Sequence, residues 1–283
     1  MNERPEVAHE YPRVARARYG WGGPAHPELE ALLHGERRRF HSVLADTLRY
    51  REDLARIPVR APDTERSPRW DNPWFFGLDG AVLYALLRTR QPRVIVEVGS
   101  GQSTRFARRA ITDGALSTRL VSIDPAPRAD VDALCDSVVR APLEEAATDP
   151  QLLNLAPGDV LFVDSSHQAF MNSDVTVLWL EVMPRLAPGV LVHLHDIFIP
   201  WDYRPDWAGR AYNEQYLLAS ALLLSRRFEV VLPAFYCHVD AELRAVLTPL
   251  WRDLGLLGYY EDSSGVPEYA VAGHSFWVRV TGG

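Results

Sequence analysis

Residues 94–104 read Val-Ile-Val-Glu-Val-Gly-Ser-Gly-Gln-Ser-Thr. An apolar run, Val94 to Val98, stops at Gly99-Ser100-Gly101 and passes at once into a helix-compatible segment, Ser103 to Ile111. Glycines at such a turn let the backbone approach a ligand without a Cβ in the way. The helix that follows leaves unpaired N–H groups facing the same place. A second apolar run, Leu120 to Ile123, ends in Asp124, where a carboxylate is well placed to accept hydrogen bonds from both hydroxyls of a ribose. Two glycines alone would mark only a tight turn. Joined to the strand, the helix and Asp124, they point to a nucleoside cofactor.

Downstream, strand and helix patterns alternate, which predicts a mostly parallel sheet with helices on both faces. Strands are expected at 94–98, 119–123, 137–140, 159–163, 189–194 and 228–232, with a closing strand at 275–280. Helices are expected at 103–112, 128–134, 143–148, 173–186 and 214–226. Upstream, residues 1–27 read as an irregular arm rich in Pro, Gly and Arg. Apolar residues at helical spacing from Leu29 to Leu48 predict an amphipathic helix over 28–54, broken near Gly35. Its exposed face is a candidate homodimer contact, or else it packs on the chain's own core. Residues 57–69 form a linker, and a helix runs over 78–90. The fold class is therefore α/β, a Rossmann-like doubly wound sheet with an N-terminal helical cap, divided as cap 1–69 and catalytic domain 70–283.

Composition narrows the function. A chain of 283 residues, 47% hydrophobic, can bury a large core. A net charge of −7 argues against nucleic acid as the main partner. No apolar run reaches the roughly 18 residues of a membrane span. The first residues lack the apolar segment of a signal peptide, and the two cysteines, Cys135 and Cys237, form no metal motif or disulfide scaffold. No membrane association and a reducing cytoplasm are expected. All 30 basic residues are Arg, so no lysine serves as a base, Schiff-base former or phosphate ligand.

Dinucleotide sites of the NAD type want a third glycine where this chain has Thr104. The pattern Glu97-x-Gly99-x-Gly101 followed by Asp124 instead resembles class I S-adenosylmethionine-dependent methyltransferases, in their small-molecule branch. The resemblance spans roughly residues 70–235 as an order of elements and is most specific over 94–124. It implies that Gly99 and Gly101 lie under the methionine and ribose of S-adenosyl-L-methionine. It also implies that Glu97 orders the loop or reaches the methionine ammonium, and that Asp124 holds the ribose. The candidate cofactor-binding set is Glu97, Gly99, Ser100, Gly101, Ser103, Thr104, Asp124, Asp164 and Leu143, the last placed either on the adenine or in the core.

Two further strand ends carry the candidate chemistry. One reads Asp164-Ser165-Ser166-His167 and the other His195-Asp196, with His193 two residues earlier on the same side. This order resembles the catechol-type, metal-dependent O-methyltransferases, in which residues at the positions of Asp164, His195 and Asp196 hold Mg²⁺ and a lysine at the position of His167 is the base. Here His replaces the lysine, and neutral imidazole is a well-poised base near pH 7. His-Asp in place of Asp-Asn suits a softer divalent ion, or none, because Mg²⁺ prefers oxygen ligands. The catalytic candidates are thus His167, Asp164, His195 and Asp196, with a divalent metal on the last three as one option. His193 reads as part of its strand, and Asp202, Asp206 and the remaining histidines as surface residues.

Aromatics supply a candidate acceptor site. Trp201, Tyr203 and Trp207 in the loop after the fifth core strand would form a lid, and Trp74 and Phe75 the opposite wall. The alternative for each alone is packing of the cap on the core. As a group they fit a bulky small-molecule acceptor, methylated on oxygen in specialised metabolism, with N-methylation open. Two alternatives remain: a non-methylating reaction of the same cofactor, such as cyclisation or rearrangement, and a degenerate enzyme acting as a partner subunit.

Overall fold

The computed structural model describes residues 14–62, 66–127, 130–149, 153–257 and 271–282. A seven-stranded sheet forms its centre: β1 Val94–Val98, β2 Arg119–Ile123, β3 Ser137–Val139, β4 Val160–Val163, β5 Leu191–Leu194, β6 Phe228–Pro233 and β7 Phe276–Val280. Their spatial order is β3-β2-β1-β4-β5-β7-β6. Strands β3 to β5 pair in parallel, and β7 inserts antiparallel between β5 and β6. Every residue of β1, β4 and β5 is buried, as continuous apolar runs in a covered parallel sheet should be. The order reverses between β1 and β4, so the crevice at their carboxyl ends is the place where such a sheet binds ligands.

The helices are α1 Pro27–Gly35, α2 Arg37–Thr47, α3 Arg51–Ala55, α4 Gly77–Arg90, α5 Gln102–Asp113, α6 Leu143–Ala146, α7 Asp174–Val177, α8 Glu214–Leu224, α9 Ala234–Val239, α10 Ala241–Val246 and α11 Thr248–Asp253. The expected break at Gly35 is present, and a 3₁₀ turn at Leu48–Tyr50 interrupts the N-terminal helix again. Leu29, Leu33, Phe40, Leu44 and Leu54 join the same apolar core as the sheet. These five apolar residues of the cap are therefore buried within the chain itself. Helix α7 continues as a π turn, Leu178–Val182, and a 3₁₀ turn ending at Arg185. Pro184 has no N–H to donate and marks the point where the regular ladder gives out.

Three expectations are corrected. Of the helix expected at 128–134, the described part is only a 3₁₀ turn, Asp132–Leu134, and Arg128 and Ala129 lie outside the described residues. Helix α9 occupies a stretch where none was expected. Asp202 is no idle surface residue, because its Oδ2 accepts the backbone N–H groups of Arg18 and Tyr19, at 2.6 and 2.8 Å, and so pins the N-terminal arm to the loop after β5.

At the end of β1, Gly99 has φ +81°, and a Cβ there would lie 1.8 Å from the Asp164 carbonyl oxygen. The glycine is needed for the close passage of β1 and β4, before any ligand is considered. Gly99→Ala is expected to cost about 3 kcal/mol or more, from left-handed strain of about 1–2 kcal/mol plus overpacking of about 1–3 kcal/mol. Thermal unfolding checks this, and an unchanged Tm would contradict it.

Candidate active site

The cofactor-side loop is tied together from below by Glu97. Its Oε1 accepts the Ser103 hydroxyl at 2.6 Å and its Oε2 the Thr104 hydroxyl at 2.5 Å. Thr104 Oγ1 in turn accepts the Gly101 N–H at 2.9 Å. Glu97 is buried, and burial pushes its carboxyl up to about 7 against the opposing hydrogen bonds of Ser103 and Thr104. In this arrangement Glu97 orders the loop, one of the two roles expected of it. Thr104, where a dinucleotide site would carry glycine, is the partner that closes the network.

Asp124 closes the loop from the side. Its Oδ2 accepts the Ser100 N–H and its Oδ1 the Ala126 N–H, both at 2.8 Å. Each carboxylate oxygen keeps acceptor capacity for a further hydrogen bond, and Asp124 is only partly buried. Ser100 Oγ pairs with Ser122 Oγ at 2.7 Å. Above Gly101, a Cβ would meet nothing within 4 Å, so the loop borders open space. Gln102 Oε1 is buried there without a protein partner. An open glycine turn, a half-buried carboxylate and an unpartnered amide oxygen fit the nucleoside portion of a cofactor. Leu143 is 2% exposed and belongs to the apolar core.

The ionisable group lies at the ends of β4 and β5. His167 is buried, with its Nδ1 3.0 Å from Glu214 Oε2 and its Nε2 3.3 Å from Asp164 Oδ1 and 3.6 Å from Asp196 Oδ2. Asp196 Oδ1 faces His274 Nδ1 at 3.3 Å and His195 Nε2 at 3.8 Å. Burial by itself lowers the His167 imidazole, but its hydrogen bonds to Asp164 and Glu214 and the charge of Asp196 outweigh burial and raise it well above its usual value. Burial likewise opposes the charged form of His195, yet the charges of Asp164 and Asp196 raise it. Asp196 is held below the usual carboxylate range despite burial, by the hydrogen bond to His274 and the neighbouring imidazoles. His167 and Asp196 both adopt left-handed backbone, at φ 58° and 55°. Such strain in non-glycine residues costs on the order of 1–3 kcal/mol each and clusters at functional sites.

All four catalytic candidates thus meet. Two members of the group are additions. Glu214, fully buried at the first position of α8, holds the far edge of the His167 ring. His274 is the clearest correction, since it is no surface residue but is 3% exposed beside Asp196. It precedes β7, and an antiparallel strand beginning at the carboxyl end of β5 delivers its leading residues to the cleft; the Ile197 N–H bonds the His274 carbonyl at 3.0 Å. His193, by contrast, lies in β5 as expected and is buried in the core, stacked on Phe162 at 3.7 Å with Nε2 2.7 Å from Ser275 Oγ.

The metal option fits this geometry poorly. Asp164, His195 and Asp196 come together, but among the described residues no group of three or more His, Cys, Asp or Glu side chains is arranged to hold a metal ion.

The aromatic candidates divide. Phe75 is buried and packs on Phe106, Phe162 and His195, the last at 5.5 Å, whereas Trp74 is 56% exposed. Tyr203 is buried, its hydroxyl accepting the Gln215 N–H at 3.1 Å. Trp201 packs on Phe235 and Gly20. Trp207 lies 5.8 Å from His274 with the Arg210 guanidinium 3.8 Å above its ring. Among the described residues no helix is long and apolar enough to cross a membrane.

Residues 96–197 match the family described as a methyltransferase domain. No curated protein matches the chain. Among solved structures, the chain is similar to the SAH-bound methyltransferase PaMTH1 of Podospora anserina, at 19% identity over 66% of this chain and 81% of that one, with a TM-score of 0.38. It is also similar to the O-methyltransferase TomG of Streptomyces achromogenes, involved in tomaymycin synthesis and solved with SAM, at 20% identity over 91% and 99%, with a TM-score of 0.34. A third is the SAH complex of an O-methyltransferase from Bacillus cereus, at 19% identity over 67% and 82%, with a TM-score of 0.38. The strand order β3-β2-β1-β4-β5-β7-β6, with β7 antiparallel, is the Rossmann-like fold of class I methyltransferases, and the matched residues 96–197 run from β1 to just past β5.

Proposed function

We propose that the chain transfers a methyl group from S-adenosyl-L-methionine to a hydroxyl of a bulky small molecule in specialised, natural-product metabolism. The observation that carries the reading is the pairing of two sites at one sheet edge: the Gly99–Asp124 cradle and, beside it, the Asp164–His167 pair. Glu97, Ser103 and Thr104 keep the glycine loop in shape, and Asp124 binds the ribose. The cofactor, when bound, supplies an already activated sulfonium methyl, so the chain's own task is to place the acceptor in line and remove its proton.

His167 is the general base. Its ring is buried, and Asp164, with 32% of its side chain exposed, is the outward member of the pair. The acceptor hydroxyl docks on Asp164, and its proton comes to rest on His167 Nε2. Asp164, Asp196 and Glu214 favour the imidazolium so formed, which makes His167 a stronger base than a free histidine. The oxygen so freed would take up the cofactor's methyl, and the cofactor's sulfur would keep the electron pair of the carbon–sulfur bond. Trp207 and Tyr203 exclude water on the lid side. The test is incubation with S-adenosyl-L-methionine and a panel of phenolic and polycyclic alcohol acceptors, reading S-adenosylhomocysteine and methylated product by mass spectrometry. The expected result is both products in equal amounts. S-adenosylhomocysteine-binding protein that yields an unmethylated, rearranged product would overturn the reading.

A further inference from the structure

Two carboxylates that share a divalent cation direct their oxygens at one point, at about 2.0–2.6 Å from the ion. Here Asp164 Oδ1 and Asp196 Oδ2 do converge, but on an atom of the chain itself, His167 Nε2, at 3.3 and 3.6 Å, well beyond coordination distance. The ring is fixed from three directions. Glu214 Oε2 takes its other edge at 3.0 Å, Tyr212 lies against it with centroids 4.7 Å apart, and its backbone carbonyl accepts the N–H groups of Asn213 and Glu214 at 2.9 and 3.3 Å. The second oxygen of Asp196 faces His274 Nδ1, so both oxygens of that carboxylate already have imidazole partners. The chain has no lysine, and every side-chain partner named around these two carboxylates is an imidazole.

We propose that the His167 ring fills the point on which Asp164 and Asp196 converge, where a shared divalent cation would sit, and that this site works without a metal. The proposal rests on the methyltransferase reading and deepens it. The ring that supplies the base also holds Asp164 in place beside the acceptor. Removing the ring should expose two carboxylates, with His195 beside them, that together form an oxygen-rich cation site.

The experiment is calorimetric titration of Mn²⁺ into metal-stripped protein, for the wild type, His167→Ala and the double variant His167→Ala/Asp164→Asn, each checked for folding by circular dichroism. Wild type is expected to show no Mn²⁺ binding. His167→Ala is expected to gain about tenfold or more in affinity, and the double variant to lose that gain. Mn²⁺ binding by the wild type that Asp164→Asn removes would overturn the proposal, as would a folded His167→Ala that gains nothing. If the alanine variant does not fold, His167→Gln replaces it, and the wild-type titration decides alone. Titration with S-adenosylhomocysteine in the same samples reports separately on the methyltransferase reading.

Discussion

His167→Ala is expected to lower kcat for methyl transfer by about 10²–10⁴-fold, the range general-base removal usually produces, while S-adenosylhomocysteine binding stays unchanged. The split follows from position. His167 faces Asp164, Asp196 and Glu214, whereas the glycine loop is held by Glu97 and Asp124. The pH profile carries a second expectation. Because the His167 imidazole is raised well above its usual value, the neutral base is the minor form near pH 7. The wild-type rate should therefore climb with pH until it passes that raised value. In His167→Ala this climb should disappear. A variant whose kcat stays within a few-fold of wild type, or whose profile keeps the same rise, would remove His167 from the chemistry.

Asp124→Ala is expected to weaken cofactor binding by about 10²-fold or more. The substitution removes the acceptor for the ribose and releases the Ser100 and Ala126 N–H groups, each held at 2.8 Å. Hydrogen bonds to a charged group contribute about 1.5–3 kcal/mol each, and about 1.4 kcal/mol is tenfold in affinity. Asp124→Asn keeps one acceptor oxygen and should fall between the two. Equilibrium titration of the three proteins checks the order, and equal affinities would contradict it.

The parallel half of the sheet was legible because its signals are local. β1 and β2 run over the ranges their apolar runs define, and Glu97, Gly99 and Asp124 sit where strand ends must place them. His167 and Asp164 were legible for the same reason, being three residues apart on one strand end. Glu214 and His274 were not, since each reaches the cleft through a non-local contact. Glu214 depends on the loop after β5 returning α8 to His167. His274 depends on β7 running antiparallel, which an alternating pattern over Phe276–Val280 does not disclose. Ring burial is a non-local property too. Phe75 reads as a cleft wall in sequence, and its ring packs on Phe106, Phe162 and His195. The metal option rests on residue order, and the His167 ring lies 3.3 and 3.6 Å from Asp164 and Asp196.

The most direct measurement is calorimetric titration of S-adenosylhomocysteine into chelator-treated wild type, with Asp124→Ala alongside. Saturable binding to the wild type that the substitution weakens by about 10²-fold or more is the predicted result, and it would place the cofactor at the β1 and β2 strand ends. Absence of binding to folded wild type, with or without an added divalent ion, would contradict the account at its centre.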